Sequence, residues 1–225
     1  SERALRLVVK DLFKQLAREN VIYTEIRFAP LLHTAGSLSV ETVVETVESE
    51  CDKAANENGI EAGLILCTLR HFSKRQSLMT AELAHAFAAT RVVAFDIAGD
   101  EAGYSLKEHE AAFRYAIKHN IPITAHAGES AGPESVWEVL RICQPSRLGH
   151  GLNSIVDPRL IKKLRQNGTH LEICPICNVQ TGAVPSLEAH PVNRLFDEGL
   201  SIGINTDTRG ITNTTLTREY AALAR

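Results

Sequence analysis

Residues 121–150 read IPITAHAGESAGPESVWEVLRICQPSRLGH, and this stretch decides the architecture. Ile121 to His126 is short and mostly apolar, which predicts a strand. Pro133, a residue favoured in the first turn of a helix, opens a predicted helix that runs to Ile142. Arg147 to His150 reads as the next strand. Strand, helix and strand in so short a span make a βαβ unit. Each strand ends on a histidine, His126 or His150, beside small residues.

The same alternation continues in both directions. Upstream, Leu5, Val8, Val9, Leu12, Phe13 and Leu16 recur at helical spacing, and Asn20 is a stop. Strand Val21–Phe28 follows. A helix over 40–58 then ends on Gly59, strand Ala62–Leu69 comes next, and a helix over Leu78–Ala89 leads to strand Arg91–Ile97. Ser105 and Glu108 carry a capping-box pattern for a helix to His119. Downstream come helix Pro158–Asn167, strand His170–Ile173, helix Pro191–Glu198 and strand Leu200–Asn205, and a last helix begins near Asn213.

Seven strands joined by helices predict a parallel α/β sheet. A doubly wound open sheet and a (β/α)8 barrel both fit that pattern. Polar residues separate them. Arg27, Arg70, Asp96, His126, His150, Glu172 and Asp207 all fall at or just past the C-terminal ends of strands. Convergence from many strands is the habit of a barrel, whereas an open sheet gathers its site at one switch point. No GxGxxG or GxxxxGK[ST] loop is present. The expectation is a single barrel domain over 1–225 that shows seven of eight strands and reads as cut at both ends.

The net charge of -3 argues against a basic nucleic-acid-binding surface. No apolar run of about 18 residues suggests a membrane span. Five scattered cysteines fit reduced thiols in a cytoplasmic protein better than a disulfide framework. Cys174 and Cys177 form CPIC, which resembles a redox or zinc pair; no second CxxC or paired histidine accompanies it, and chance proximity is the preferred reading.

Taken singly, each candidate has a plain structural alternative. His126 can be a satisfied core histidine, His150 a turn histidine, Asp207 the cap of a following turn, and Asp96 and Asp100 solvated acids around Gly99. The strand-end positions and the HAGE context favour a shared site, with Glu129 above the same mouth and able to deliver a proton. His33, His85, His109, His119 and His190 read as surface or helix histidines. His71 lies nearer the mouth, and Trp137 reads as core.

ITAHAGE, RLGHG, VVAFDIAGDE, LEICPICNVQTGAV and INTDT, in their sequence context, resemble the adenosine deaminase family of the amidohydrolase superfamily. The resemblance covers essentially the whole chain. It implies hydrolytic deamination of adenosine and 2'-deoxyadenosine to the 6-oxopurine and ammonia. It also implies one Zn2+ per site, which lowers the pKa of a bound water from about 15.7 toward about 7.

By that resemblance His126 and Asp207 are metal ligands, and Glu129 protonates the purine at N1. His150 orients the attacking water and assists its deprotonation. The backbone of Gly99 and the side chain of Thr208 meet the purine. The partner implied is a small purine nucleoside, with neither nucleic acid nor membrane. Two departures stand out. The family's HxH pair of zinc ligands is absent from these 225 residues, so two further histidine ligands are expected outside them. Thr208 stands where many members have aspartate; it keeps a hydroxyl donor on a shorter side chain. Gly149 argues against adenine as substrate, an aminodeoxyfutalosine-type substrate stays open, and a non-catalytic purine-binding barrel remains the alternative from another class.

Overall fold

The computed structural model describes residues 1–224, which form two compact units. The first comprises Ser1–Ile97 and Lys107–Pro122. It runs α1 (Glu2–Arg18), β1 (Tyr23–Phe28), α2 (Val40–Asn58), β2 (Glu61–Leu69), α3 (Lys74–Ala86), β3 (Val92–Ala98) and α4 (Glu110–Lys118). The strands form one sheet in the order β1-β2-β3. β1 pairs with β2 in parallel, with Arg27 opposite Ile65.

Local chemistry sets the helix bounds. The Ser39 hydroxyl accepts from Thr42 N, and α2 stops where Gly59 turns left-handed at φ 65. α3 starts at Lys74, four residues before the periodicity suggested, because Ser73 and Gln76 form a reciprocal capping box. After Ser105 the chain first makes a 3-10 turn over Leu106–His109, and α4 begins only at Glu110. Phe13, Leu64, Leu66, Phe95 and Phe113 are fully buried, and the Phe95 and Phe113 rings lie 5.0 Å apart. Burial of each such side chain contributes roughly 1.5–3 kcal/mol before chain entropy is counted.

The second unit comprises Ala98–Leu106 and Ile123–Arg225. It runs β4 (Thr124–Ala127), α5 (Pro133–Ile142), β5 (Arg147–His150), α6 (Pro158–Asn167), β6 (His170–Ile173), α7 (Pro175–Gln180), α8 (Val192–Asp197), β7 (Ser201–Ile204), α9 (Arg209–Thr212) and α10 (Leu216–Leu223). Its four strands pair in parallel, in sequence order. Leu148, Leu160, Leu164 and Leu171 fill the space between sheet and helices. β4 is shorter than expected. Asn120 adopts φ 55, and Pro122 has no N–H to give a ladder, so the strand starts at Thr124.

The five cysteines are free and buried. Among the described residues no helix is long and apolar enough to cross a membrane.

Candidate active site

Four candidate residues of the second unit lie at the C-terminal ends of its parallel strands. His126 is the penultimate residue of β4, and His150 ends β5. Asp207 follows β7, and Glu129 lies in the turn after β4. The strand register puts Gly149 directly opposite His126. A Cβ on Gly149 would sit 2.7 Å from the His126 ring, so a glycine here is what leaves room for the imidazole. Gly128 turns the chain at φ 70, and a Cβ there would meet Val136 at 2.6 Å. That turn swings Glu129 back over the strand ends.

His150 is almost fully buried and has φ 66, a left-handed conformation that is costly for a side-chain-bearing residue. Gly151 follows at φ 68. The two together bend the chain sharply off β5 and leave the imidazole at the strand end. His150 Nε2 lies 3.5 Å from Glu129 Oε2 and 3.8 Å from Asp207 Oδ2. The His126 and His150 rings are 5.3 Å apart, edge on.

Several partners of these groups lie outside the residues that sequence reasoning singled out. Asn178, fully buried on α7, donates from Nδ2 to Glu129 Oε1 at 2.9 Å and lies 3.0 Å from His150 Nδ1. Thr181 Oγ1 lies 3.3 Å from the same Glu129 oxygen. Glu129 Oε1 is therefore an acceptor, which leaves Oε2 as the oxygen suited to carry a proton. Cys177 of the CPIC segment donates to Asp207 Oδ2 at 3.3 Å, and burial, then the Asp207 charge, pushes its thiol up to about 12. The CPIC segment thus touches the site through a protonated thiol. Cys174 lies 3.9 Å from the Glu172 carbonyl.

Glu101 is a further residue the sequence did not flag. Its carboxylate accepts from the backbone N–H groups of Gly128, Glu129, Ser130 and Ala131 and from the Ser135 hydroxyl. A carboxylate seated in a row of N–H groups ahead of a helix is a strong anion nest. It ties down the turn that carries Glu129. Asn153 adds two bonds from the other side, to the carbonyls of Glu129 and Ala131.

The other candidates have different surroundings. Gly99 is exposed at φ 99. Thr208 is exposed at the start of α9, where its carbonyl accepts from Thr212. Glu172 pairs with Arg147 at 3.1 Å. In the first unit, Asp96 is not solvated but fully buried, 2.9 Å from Arg27 Nε. His109 and His190, read as surface or helix histidines, are buried. His109 closes a chain from Thr68 through Ser77 to the Arg70 carbonyl, and burial lowers its pKa.

His126 and Asp207 are donor types that zinc takes, and the Gly149 notch fits the His126 ring. Among the described residues, however, no group of three or more His, Cys, Asp or Glu side chains is placed to hold a metal. A catalytic zinc takes at least three protein ligands. The residues here make an incomplete donor set.

Comparison with known proteins adds a family and a fold. The family model described as Adenosine deaminase matches residues 1–225. Adenosine deaminase of Mycolicibacterium vanbaalenii is 38% identical over 98% of the chain, which spans 65% of that protein. Adenosine deaminase 1 of Streptomyces coelicolor is also 38% identical, and the chain spans 59% of its length. Among solved structures, adenine deaminase from Arthrobacter aurescens matches with a TM-score of 0.92 at 23% identity, over all of this chain and 68% of that one. Arabidopsis ADAL complexed with IMP matches at 0.90 and 23%, again over all of this chain and 68% of that one. An amidohydrolase from Burkholderia ambifaria with bound Zn matches at 0.92 and 21%, over all of this chain and 63% of that one. These likenesses show the fold, which is of the (β/α)8-barrel class.

Proposed function

The chain belongs to the adenosine deaminase family, and from that premise we propose that it is the greater part of a hydrolase that deaminates adenosine and 2'-deoxyadenosine. The observation that carries this reading is the placement of one imidazole between two carboxylates at the strand ends, with His150 Nε2 3.5 Å from Glu129 and 3.8 Å from Asp207. An aminopurine ring resists attack by water until a ring nitrogen accepts a proton. Glu129 is the proton donor in this reading. Its Oε1 is held by Asn178, so its Oε2 faces the reacting ring. His150 flanks the oxygen that adds to C6, and ammonia leaves as the 6-oxopurine forms. Gly99 and Thr208 are proposed contacts to the purine.

Zn2+ is the proposed cofactor, with His126 and Asp207 as two of its ligands; when bound it supplies Lewis acidity toward water. Two further donors are needed beyond those that this chain brings together. The Zn found in the Burkholderia neighbour and the IMP bound by the Arabidopsis one support a metal and a purine ligand. Five free, buried thiols support a cytoplasmic location, and the match over 1–225 supports a single domain. The incomplete donor set favours one other reading, a barrel that binds purine nucleosides without turning them over.

The test is a spectrophotometric deamination assay on the protein expressed from its whole gene, with bound zinc measured alongside. Adenosine, 2'-deoxyadenosine, adenine and aminodeoxyfutalosine are compared as substrates. Glu129→Gln is expected to abolish turnover and leave the metal content unchanged. Normal turnover by that variant rules out the role given to Glu129. Purine binding with no turnover of any of the four selects the non-catalytic reading.

A further inference from the structure

His150 has two ring nitrogens, and what it can do depends on which carries the proton. A chain of hydrogen bonds that starts on the backbone settles this. Val192 N–H lies 3.1 Å from His190 Nδ1. A backbone N–H can only donate, so His190 Nδ1 is an acceptor and bears no proton. Burial, with the neighbouring His150 second, lowers the His190 pKa to about 4, so the ring is neutral near pH 7. Its one proton is then on Nε2, which faces Asn178 Oδ1 at 3.3 Å. That bond fixes which end of the Asn178 amide is oxygen. The NH2 end is left for Glu129 Oε1 at 2.9 Å and His150 Nδ1 at 3.0 Å.

We propose that His190 and Asn178 are positioning residues that force His150 into its Nε2–H tautomer, so that His150 offers a proton, and not a lone pair, to the strand-end site. His150 Nε2, on the other side of the ring from Asn178, faces the strand-end site, 3.5 Å from Glu129 Oε2. All three members of the relay are buried: Asn178 at 0%, His150 at 2% and His190 at 6% exposure. Water therefore has little access to substitute for a missing partner, and a reversed amide would set N–H against N–H at His190.

The consequence rests on the deaminase reading only for the use to which His150 is put. In that reaction a neutral Nε2–H imidazole is a hydrogen-bond donor to the oxygen at the reacting carbon. It does not take a proton from the attacking water while Asn178 holds Nδ1. The relay also explains a cost in the fold, because His150 is kept at φ 66, where its Nδ1 can meet Asn178.

The test is long-range proton–nitrogen correlation NMR on the full chain, histidine-labelled with nitrogen-15, at neutral pH and without substrate. The His150 signals are assigned by their loss in His150→Gln. The expected spectrum shows an unprotonated Nδ1 and a protonated Nε2 for both His150 and His190. Asn178→Asp removes both amide donors and places a carboxylate at His150 Nδ1, so the proton is expected to move to Nδ1. His190→Leu frees the amide to turn, and both His150 tautomers are expected. A wild-type His150 with its proton on Nδ1 overturns the proposal, whether or not the variants fold. A folded Asn178→Asp variant with the wild-type pattern overturns it as well. Neither readout involves turnover, so absent deaminase activity would count against the proposed function and leave the relay standing.

Discussion

Replacing Glu101 by alanine removes one carboxylate and strands five donors at once. The cost depends on which of them water can reach. Ser130 is exposed, and Glu129 and Ala131 are partly exposed, so hydration recovers most of those bonds. Gly128 N and the Ser135 hydroxyl belong to buried residues. A buried donor left unsatisfied costs about 1–3 kcal/mol, so the two together predict a loss of roughly 2–6 kcal/mol. Glu101→Gln separates the acceptor from the shape. Its amide keeps one oxygen, which can still serve the buried pair, Gly128 N and the Ser135 hydroxyl, but sets NH2 against the more exposed N–H groups, so a smaller loss than that of alanine is expected. The assay is urea unfolding of the three proteins, with midpoints compared at a common slope. Amide exchange over residues 128–131 should accelerate in both variants. A Glu101→Ala protein within about 0.5 kcal/mol of the parent, the range of ordinary surface changes, would refute the idea that this carboxylate holds the turn.

Gly149→Ala should push the His126 ring out of its notch, because the new methyl would lie 2.7 Å from the ring; a crystal structure of the variant with His126 unmoved would contradict this. All five cysteines are buried, and burial holds the Cys51 and Cys177 thiols at about 11 and about 12. A thiol reagent at neutral pH should therefore label the unfolded chain rapidly and the native one hardly at all. Burial lowers the pKa values of His109, His170 and His190 below 6.5, with His190 at about 4. The unfolded chain thus binds more protons in that window. Their contribution to stability is complete above pH 6.5 and falls away toward pH 4, by up to roughly 1.4 kcal/mol per pH unit for each group. Urea midpoints that stay constant from pH 7 to pH 5 would show that these rings are not held neutral.

The unevenness of the match between sequence and fold has a physical cause. α5, β5, α6 and β6 have the bounds expected of them. Each is a short apolar or amphipathic run, and proline at the start of α5 and α6 or glycine at the end of α6 marks its edge. These signals are local and survive in the bare sequence. α7 and α9 escaped the sequence reading: six or four residues give little periodicity, and α7, unlike α8 of the same length, lies in the CPIC segment that drew a metal or redox reading instead. The burial of His109 and His190 was hidden for a different reason. Their partners are separated from them in sequence, Ser77 by 32 residues and Asn178 by 12. A histidine next to helix formers gives no hint that a distant hydroxyl or amide will satisfy it.

The site divides along the same line. His126, Glu129, His150 and Asp207 were legible because side-chain chemistry is written in residue identity and strand ends are written in hydropathy. Glu101 was not, although it lies only two residues past Gly99. Its partners are mainly backbone N–H groups, which every residue but proline possesses. A nest of such groups therefore leaves no composition to read, and an acid in a glycine-bearing loop looks solvated until the fold closes around it. Asn178 is the intermediate case. Its amide is visible in the sequence, but its direction is set by the Val192 N–H through His190. The residue types of the site are thus a matter of sequence, while the side from which His150 is protonated is a matter of three-dimensional structure.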